Sequence, residues 1–138
     1  VYSRNHFGAT PPSSYRVPDL PSVLVENPSI TNFKVSMELD YVRSESVWNY
    51  RVQLPGGGWT ETNWYVSANK DSYPIMGEIP TKLYEKFPNM KVDEITYSRT
   101  KFYLDSYTHP EFIAKTFVTQ DIETTPRNEE FIIIGPEK

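Results

Sequence analysis

A run of Pro-Gly-Gly-Gly at 55–58 separates two stretches that are rich in aromatic and β-branched residues, 47–54 and 59–67. Glycine adopts backbone conformations that other residues avoid, and this arrangement is typical of a tight turn between antiparallel strands. A phosphate-binding loop would need a Lys-Ser or Lys-Thr pair and a following helix, whereas a tryptophan-led strand follows here. The run therefore predicts a β-hairpin and not a nucleotide site.

The two faces of the predicted hairpin differ. A three-residue loop at 56–58 places an apolar set on one face: Trp48, Tyr50, Val52 and Leu54 beside Thr62, Trp64 and Val66. The opposite face is polar but includes Trp59 and Tyr65, beside Arg51 and Asn63. Exposed aromatic side chains stack on sugars, bases or a partner's surface, so these four are our candidate binding residues. Burial beneath the N-terminal segment is the alternative for Trp59 and Tyr65.

Alternation of apolar and polar residues predicts further strands. The clearest is 31–41, where every second residue is apolar. The polar run 42–46 breaks the alternation and predicts a turn. A strand at 91–105 changes its apolar parity near 98–101, which indicates a bulge or a tight turn. The apolar run 131–134 predicts a buried final strand.

One short helix is predicted at 80–87, because proline occupies its first position and apolar residues recur at spacings of four. The segment 112–118 has apolar positions that fit a helical turn, but its Thr, Phe and Val content favours a strand. Short turns join most elements, which favours an α+β class over alternating β/α units. We therefore expect a single domain at 31–138, mainly antiparallel β-sheet with one short helix packed on it.

The first 30 residues form a different region. Five of the 12 prolines fall within the first 28 residues, and proline lacks the donor that a sheet ladder needs. An extended, Pro-rich N-terminal arm is therefore expected at 1–30. The arm also contains large apolar residues, Tyr2, Phe7, Tyr15 and Leu20, which a solvated linker would lack. These residues are predicted to anchor the arm on its own domain or on a neighbouring subunit.

Composition excludes several classes of site. The chain has no cysteine, which removes thiol nucleophiles, zinc ribbons, iron–sulfur ligation and disulfides. Its two histidines, His6 and His109, are far apart in sequence and do not form a paired metal-ligand motif. We therefore predict neither a metal site nor a cofactor.

Charge and hydropathy limit the classes of partner and the cellular location that we expect for the chain. The acidic chain has a formal charge of −4 with scattered cations, so nucleic acid is not an expected partner. The longest apolar run, 131–134, is too short for a transmembrane segment, and a soluble protein is expected. The first residue is Val1; a processed N-terminus would indicate an exported, organellar or virion protein, and the sequence leaves the localisation open.

These patterns favour a non-catalytic structural or protein–protein interaction subunit of a larger assembly. The N-terminal arm and the aromatic side of the hairpin would form its contacts, with a protein partner or in a homo-oligomer. The first alternative is a carbohydrate- or small-ligand-binding module that uses the same aromatic residues. The second is a small hydrolase with His109 as its acid–base residue. The segment 107–110 is interpreted as a turn, in which His109 provides a hydrogen bond and exposed polarity.

Overall fold

The computed structural model describes most of the chain. The described residues are 1–8, 10, 13–14, 17, 19–29, 32–70, 72, 77–88, 90–120 and 127–135. Their strands are β1 (Tyr2–Phe7), β2 (Val23–Ser29), β3 (Asn32–Met37), β4 (Arg43–Gln53), β5 (Trp59–Asn69), β6 (Thr96–Asp105) and β7 (Arg127–Ile134). The helices are α1 (Thr81–Lys86) and α2 (His109–Ala114); a 3-10 turn at Val92–Glu94 precedes β6, and a π-helical segment at Lys115–Thr119 extends α2.

The strands form two antiparallel sheets. The larger sheet has five strands in the order β1-β7-β6-β4-β5, and the smaller sheet consists of β2 and β3. We call the side of the larger sheet that is packed against β2 and β3 its core face, and the opposite side its outer face. The architecture is thus mainly antiparallel β-sheet with short helices, which agrees with the predicted α+β class.

The core lies between the two sheets. Phe33 and Val35 from β3 meet Trp48, Phe102 and Ile95, and all five are buried. The rings of Phe33 and Trp48 are 4.7 Å apart, centre to centre, in an edge-to-face arrangement. Such aromatic pairs contribute about 0.5–1.5 kcal/mol beyond the area they bury. The strand predicted at 31–41 is confirmed only over β3, which ends at Met37; there Phe33 and Val35 point inwards and their neighbours are exposed.

The turn predicted at 42–46 is wrong, because β4 already begins at Arg43. Ser46 in this run is buried, and its hydroxyl still has a partner: it lies 2.8 Å from the Thr100 hydroxyl, in hydrogen-bonding contact between β4 and β6. A hydroxyl that finds a partner across the ladder can occupy a buried strand position at little cost. The loss of apolar alternation therefore did not signal the end of a strand.

The hairpin between β4 and β5 has the predicted faces but not the predicted loop. Gln53 pairs with Trp59 and Trp48 with Trp64, so the connection is 54–58 and the register is shifted by two residues. A shift of two residues keeps every side chain on its predicted face, because side chains alternate with a period of two. Trp48 is buried accordingly, and Trp59 is exposed.

The bulge predicted near 98–101 is confirmed. Val47 pairs with Arg99 but Trp48 pairs with Tyr97, which leaves Ser98 as the extra residue. An extra residue reverses the side-chain parity of the strand, as the sequence indicated. The predicted final strand is also present, although it begins earlier, at Arg127.

The helical content is larger than predicted. The helix expected at 80–87 is α1, in which Pro80 is the N-cap and no residue is buried. The strand favoured at 112–118 is wrong, since this segment lies in α2 and its π-helical extension. Thr108 and Glu111 form a capping box at its start, and a satisfied helix N-terminus outweighs the β-propensity of the Thr, Phe and Val residues. Among the described helices none is long and apolar enough to cross a membrane.

The two ends of the predicted arm are strands. β1 pairs with β7 along six residue pairs, and β2 pairs with β3. Both strands therefore pair within the chain itself. Between them, several positions of the predicted arm, including Tyr15, lie outside the described residues.

Candidate interaction site

The four candidate binding residues lie on the outer face of the β4–β5 hairpin. Trp59 and Tyr65 expose 56% and 58% of their surface, as the hairpin faces predicted. The guanidinium carbon of Arg51 lies 4.5 Å from the centre of the Trp59 ring, in a cation–π contact. Asn63 is exposed between the two aromatic residues, opposite Asn49 in the ladder. We call Arg51, Trp59, Asn63 and Tyr65 the aromatic face.

The aromatic face is an extended stripe. Trp59 and Tyr65 are six positions apart on one strand, which separates their Cα atoms by about 20 Å at the usual rise per residue. Arg51 lies opposite Glu61 in the ladder, and the Asn49 amide donates a hydrogen bond of 3.3 Å to the Glu61 carboxylate. A partner would therefore meet two aromatic contacts with polar groups between them.

Two cavities lie along the outer edge of β5. One, of about 490 Å³, is lined by the consecutive residues 64–67, and the other, of about 510 Å³, by the consecutive residues 60–63. Successive side chains of a strand point to opposite faces, so a cavity that meets four residues in a row lies against the strand's edge. The exposed edge of β5 is therefore part of the candidate site.

The cavity at 64–67 contains the only histidine in the predicted domain. Ser67 Oγ lies 3.1 Å from Nδ1 of His109, and Glu45 lies opposite Ser67 in the ladder. Phe112, Ile113 and Phe117 from the α2 region supply an apolar wall. The cavity thus combines an apolar lining with three adjacent hydrogen-bonding groups.

His109 is the first residue of α2 and does not lie in the turn predicted at 107–110. The Glu111 carboxylate accepts hydrogen bonds from the backbone N–H and the hydroxyl of Thr108, at 2.9 and 2.8 Å. These bonds, the hydroxyl bond first, hold the pKa of Glu111 below its ordinary value. The cap fixes the start of α2 and so positions His109 beside β5.

The Ser67–His109 pair has one of the features of a nucleophile with its base. In a Ser-His-Asp site, a carboxylate holds the second imidazole nitrogen and orients the ring. Among the described contacts, the hydrogen bond of His109 is to Ser67, and Glu45 lies on the serine side. The arrangement can therefore bind a polar group more readily than it can activate Ser67.

Arg43 is a buried residue that the sequence analysis missed. Its side chain is 2% exposed, and its Nε and Nη1 atoms have no hydrogen-bond partner among the described residues. The guanidinium carbon lies 3.4 Å from the centre of the Tyr103 ring and 4.2 Å from that of Phe112. Arg43 thereby links β4 to β6 and α2. A polar run at the start of a strand gave no signal of this stacking.

The predicted anchor residues of the N-terminal arm differ in their surroundings. The Tyr2 hydroxyl donates a hydrogen bond of 2.9 Å to the Glu130 carboxylate, and burial, followed by this bond and the charge of Glu130, raises the pKa of Tyr2. Phe7 and Leu20 are exposed. Tyr15 lies outside the described residues. Tyr2 thus contacts its own domain, whereas Phe7 and Leu20 present apolar surface to solvent.

The described residues contain no cluster of three or more side chains that could hold a metal ion. No protein-family model matches the chain, and the searches of curated proteins and of solved structures found no match. The fold and the geometry of this site are therefore the basis for assigning a function.

Proposed function

We propose that the protein is a non-catalytic structural or interaction subunit. It contacts a protein partner or a second copy through the aromatic face and the adjoining edge of β5. The observation that supports this most strongly is the pair of aromatic residues, Trp59 and Tyr65, held more than half exposed on a rigid strand. Aromatic and arginine side chains are the residues that most often dominate the free energy of protein association.

The aromatic face is organised before any partner binds. Arg51 already stacks on Trp59, so less side-chain entropy is lost when both become buried. Both residues project from paired strands and not from a loop, which fixes the spacing of the contacts. A preformed contact of this kind favours binding without a change of shape.

Further apolar side chains are exposed beside β5. Phe87 lies at one end of the strand's edge, and Ile113 and Phe117 lie at the other. Large apolar surface grouped in this way is unusual for the free surface of a monomer and marks interaction sites. The N-terminal residues Phe7 and Leu20 would add a second contact in the same assembly.

Association of the full chain, measured by light scattering, tests the proposal. The paired variant Trp59→Ala, Tyr65→Ala removes the aromatic contacts, and Tyr84→Ala, an aromatic residue in α1 that is 42% exposed, is the matched control. We expect the paired variant to weaken association at least about tenfold, as loss of interface anchors does, and the control to leave it unchanged. Equal association of all three proteins would overturn the proposal. Deletion of the arm is unsuitable, because it would remove β1 and β2.

A small-ligand-binding module is a second candidate, and the cavity at 64–67 favours it. Its volume of about 490 Å³ and its apolar lining with Ser67 and His109 suit a small amphipathic molecule or a sugar. Trp64 lines the cavity, so its fluorescence reports occupancy. A shift with a set of glycans and fatty acids that Ile113→Arg abolishes would support this candidate, and no shift with any of them would remove it.

A small hydrolase is the third candidate, supported by the 3.1 Å contact between Ser67 and His109. Aryl esters provide a simple probe. Turnover that disappears in both Ser67→Ala and His109→Ala would favour it, whereas turnover that survives His109→Ala would remove His109 as the acid–base residue.

A further inference from the structure

The outer edge of β5 lacks the features that usually protect an edge strand. β5 has 11 residues, pairs with β4 without any shift of register, and contains neither proline nor lysine. Its one charged residue is Glu61. Natural proteins block sheet edges with short strands, bulges, proline or charge, because an open edge pairs with another chain. The opposite edge strand, β1, is six residues long and contains Arg4.

The hydrogen bond at the hairpin shows which backbone groups point outwards. The Leu54 N–H donates to the Gly58 carbonyl at 3.0 Å, so this pair is hydrogen-bonded across the ladder. Hydrogen-bonded and non-hydrogen-bonded pairs alternate in antiparallel strands. The odd-numbered residues of β5, including Glu61, Asn63, Tyr65 and Ser67, therefore direct their N–H and C=O groups away from β4. None of the described strands pairs with them.

We propose that this edge pairs antiparallel with the same edge of a second copy, joining the two larger sheets into one. The inference rests on the proposed function and names its partner. An antiparallel pair of identical strands is symmetric about a two-fold axis, so the edge is complementary to itself. A two-fold axis at Trp64, the middle residue of β5, pairs the strand along its whole length.

The charge on β5 is compatible with this register. Glu61 lies opposite Ser67 of the second copy, and the two Glu61 side chains stay at opposite ends of the pair. Like charges directly opposite each other would destabilise the sheet, and this register avoids them.

The walls beside the edge are also complementary. At 64–67 the wall is α2, which lies on the outer face, where Phe112 packs on Arg43 and His109 bonds Ser67. At 60–63 the wall includes Phe87 and Met90, and the next residues return to the core face, where Val92 packs in the core. A two-fold axis perpendicular to the sheet keeps both core faces on one side. At each end of the joined pair, the α2 wall of one copy then lies on the outer face, and the 60–63 wall of the other copy lies on the core face. The two walls therefore do not collide.

Removal of one outward N–H tests the pairing. Asn63→Pro deletes this donor without touching a β4–β5 hydrogen bond, and Asn63→Ala removes the side chain but keeps the donor. We expect Asn63→Pro to weaken dimer formation about tenfold or more in sedimentation experiments, and Asn63→Ala, which loses the side-chain contact but keeps the donor, to weaken it clearly less. Circular dichroism of both variants serves as the control for folding. Asn63→Lys, compared with Asn49→Lys one strand inwards, repeats the test without proline. Equal effects within each pair would overturn the inference.

Cross-linking tests the register, and the cysteine-free chain gives it no background. In the proposed register, residue 61 of one copy lies about 5.5 Å, Cα to Cα, from residue 67 of the other, within the range of a disulfide. The double variant Glu61→Cys, Ser67→Cys should therefore form covalent dimers, and each single variant should not. A full chain that is monomeric at high micromolar concentration, or singles that cross-link as well as the double variant, would overturn the inference. The proposed function fails separately, if Trp59→Ala, Tyr65→Ala leaves association intact.

Discussion

Arg43 and Tyr103 form a stacked pair on the outer face, at the end of the sheet where β4 begins. The guanidinium carbon is 3.4 Å from the ring centre, and the two residues are opposite each other in the β4–β6 ladder. The pair is almost fully buried. Burial of an unpaired charge is costly, and the two nearby rings supply part of the lost interaction with water. α2 closes over this pair through Phe112, which connects the stacked arginine to the wall of the 64–67 cavity.

Substitution of Arg43 distinguishes packing from charge. Arg43→Ala should lower the free energy of unfolding by about 2–4 kcal/mol, because it empties a buried site between Tyr103 and Phe112. Arg43→Met keeps most of the volume and removes a buried charge, so it should cost less than about 1.5 kcal/mol. Urea unfolding of the three proteins measures both values. A loss in Arg43→Met as large as that in Arg43→Ala would show that the charge, and not the packing, stabilises the site.

Trp59 should behave as a solvent-exposed fluorophore in the free chain. Trp48 is 1% exposed and Trp59 is 56% exposed, so Trp59 supplies the part of the emission that is red-shifted and easily quenched. Trp59→Phe should remove that component and change the free energy of unfolding by less than about 0.5 kcal/mol, as for other surface positions. Acrylamide quenching before and after the substitution measures it. Quenching that is unchanged would place Trp59 in a buried position and remove it from the aromatic face.

The hairpin loop should be sensitive to loss of glycine. Gly56, Gly57 and Gly58 have φ angles of 93°, 95° and 91°, and nothing lies within 4 Å of a Cβ placed on any of them. Gly57→Ala therefore introduces backbone strain without a steric clash, and it should cost about 1–3 kcal/mol. Thermal unfolding measures the effect, and Gly77→Ala, which has open space and no positive φ, is the control. Equal losses in both variants would show that the loop conformation is not the cause.

The capping box predicts a pH dependence. The pKa of Glu111 is below its ordinary value of 4.5, because the hydroxyl and the backbone N–H of Thr108 bond its carboxylate. A carboxyl group with a lowered pKa in the folded state stabilises the protein above its unfolded pKa, and this contribution is lost as the pH falls through the folded value. Stability should therefore decline below about pH 4.5, and the decline should be shallower in Glu111→Gln.

Urea unfolding between neutral pH and pH 3 measures this difference. The exposed glutamate Glu85 in α1 supplies the control variant, Glu85→Gln, which removes a carboxyl group from the other short helix. If Glu111→Gln and Glu85→Gln have the same pH profile, the cap at Thr108 does not contribute to stability.

Local patterns predicted the strands whose burial alternates, and the faces of the β4–β5 hairpin. They failed where tertiary contacts replaced the local signal. Ser46 and Arg43 belong to a strand because residues of β6 contact them: Thr100 bonds the Ser46 hydroxyl, and the Tyr103 ring stacks on Arg43. No pattern within 42–46 reveals these contacts. The strand predicted at 112–118 followed from β-propensity alone. The segment is helical because the Thr108–Glu111 capping box stabilises the start of α2, and the prediction made no use of its Thr-x-x-Glu signature.

The candidate site was predictable only in part. The exposure of Trp59 and Tyr65 followed from hairpin parity, which survived an error of two residues in register. The contact between Ser67 and His109 joins positions 42 residues apart. The edge of β5 is open because β5 is the last strand in the order of the sheet, and no local sequence pattern indicates that order. Both therefore required the three-dimensional arrangement.

Hydrogen exchange of the amides of β5 tests the central claim most directly, with the full chain compared at dilution and in its assembled state. We predict that peptides covering 59–69 gain protection on assembly, since the outward N–H groups and the aromatic face become buried there. Peptides from β6, which is paired on both sides within the larger sheet, serve as the internal reference. Protection that is unchanged in 59–69, or that rises only elsewhere, would contradict the proposal that the protein associates through β5.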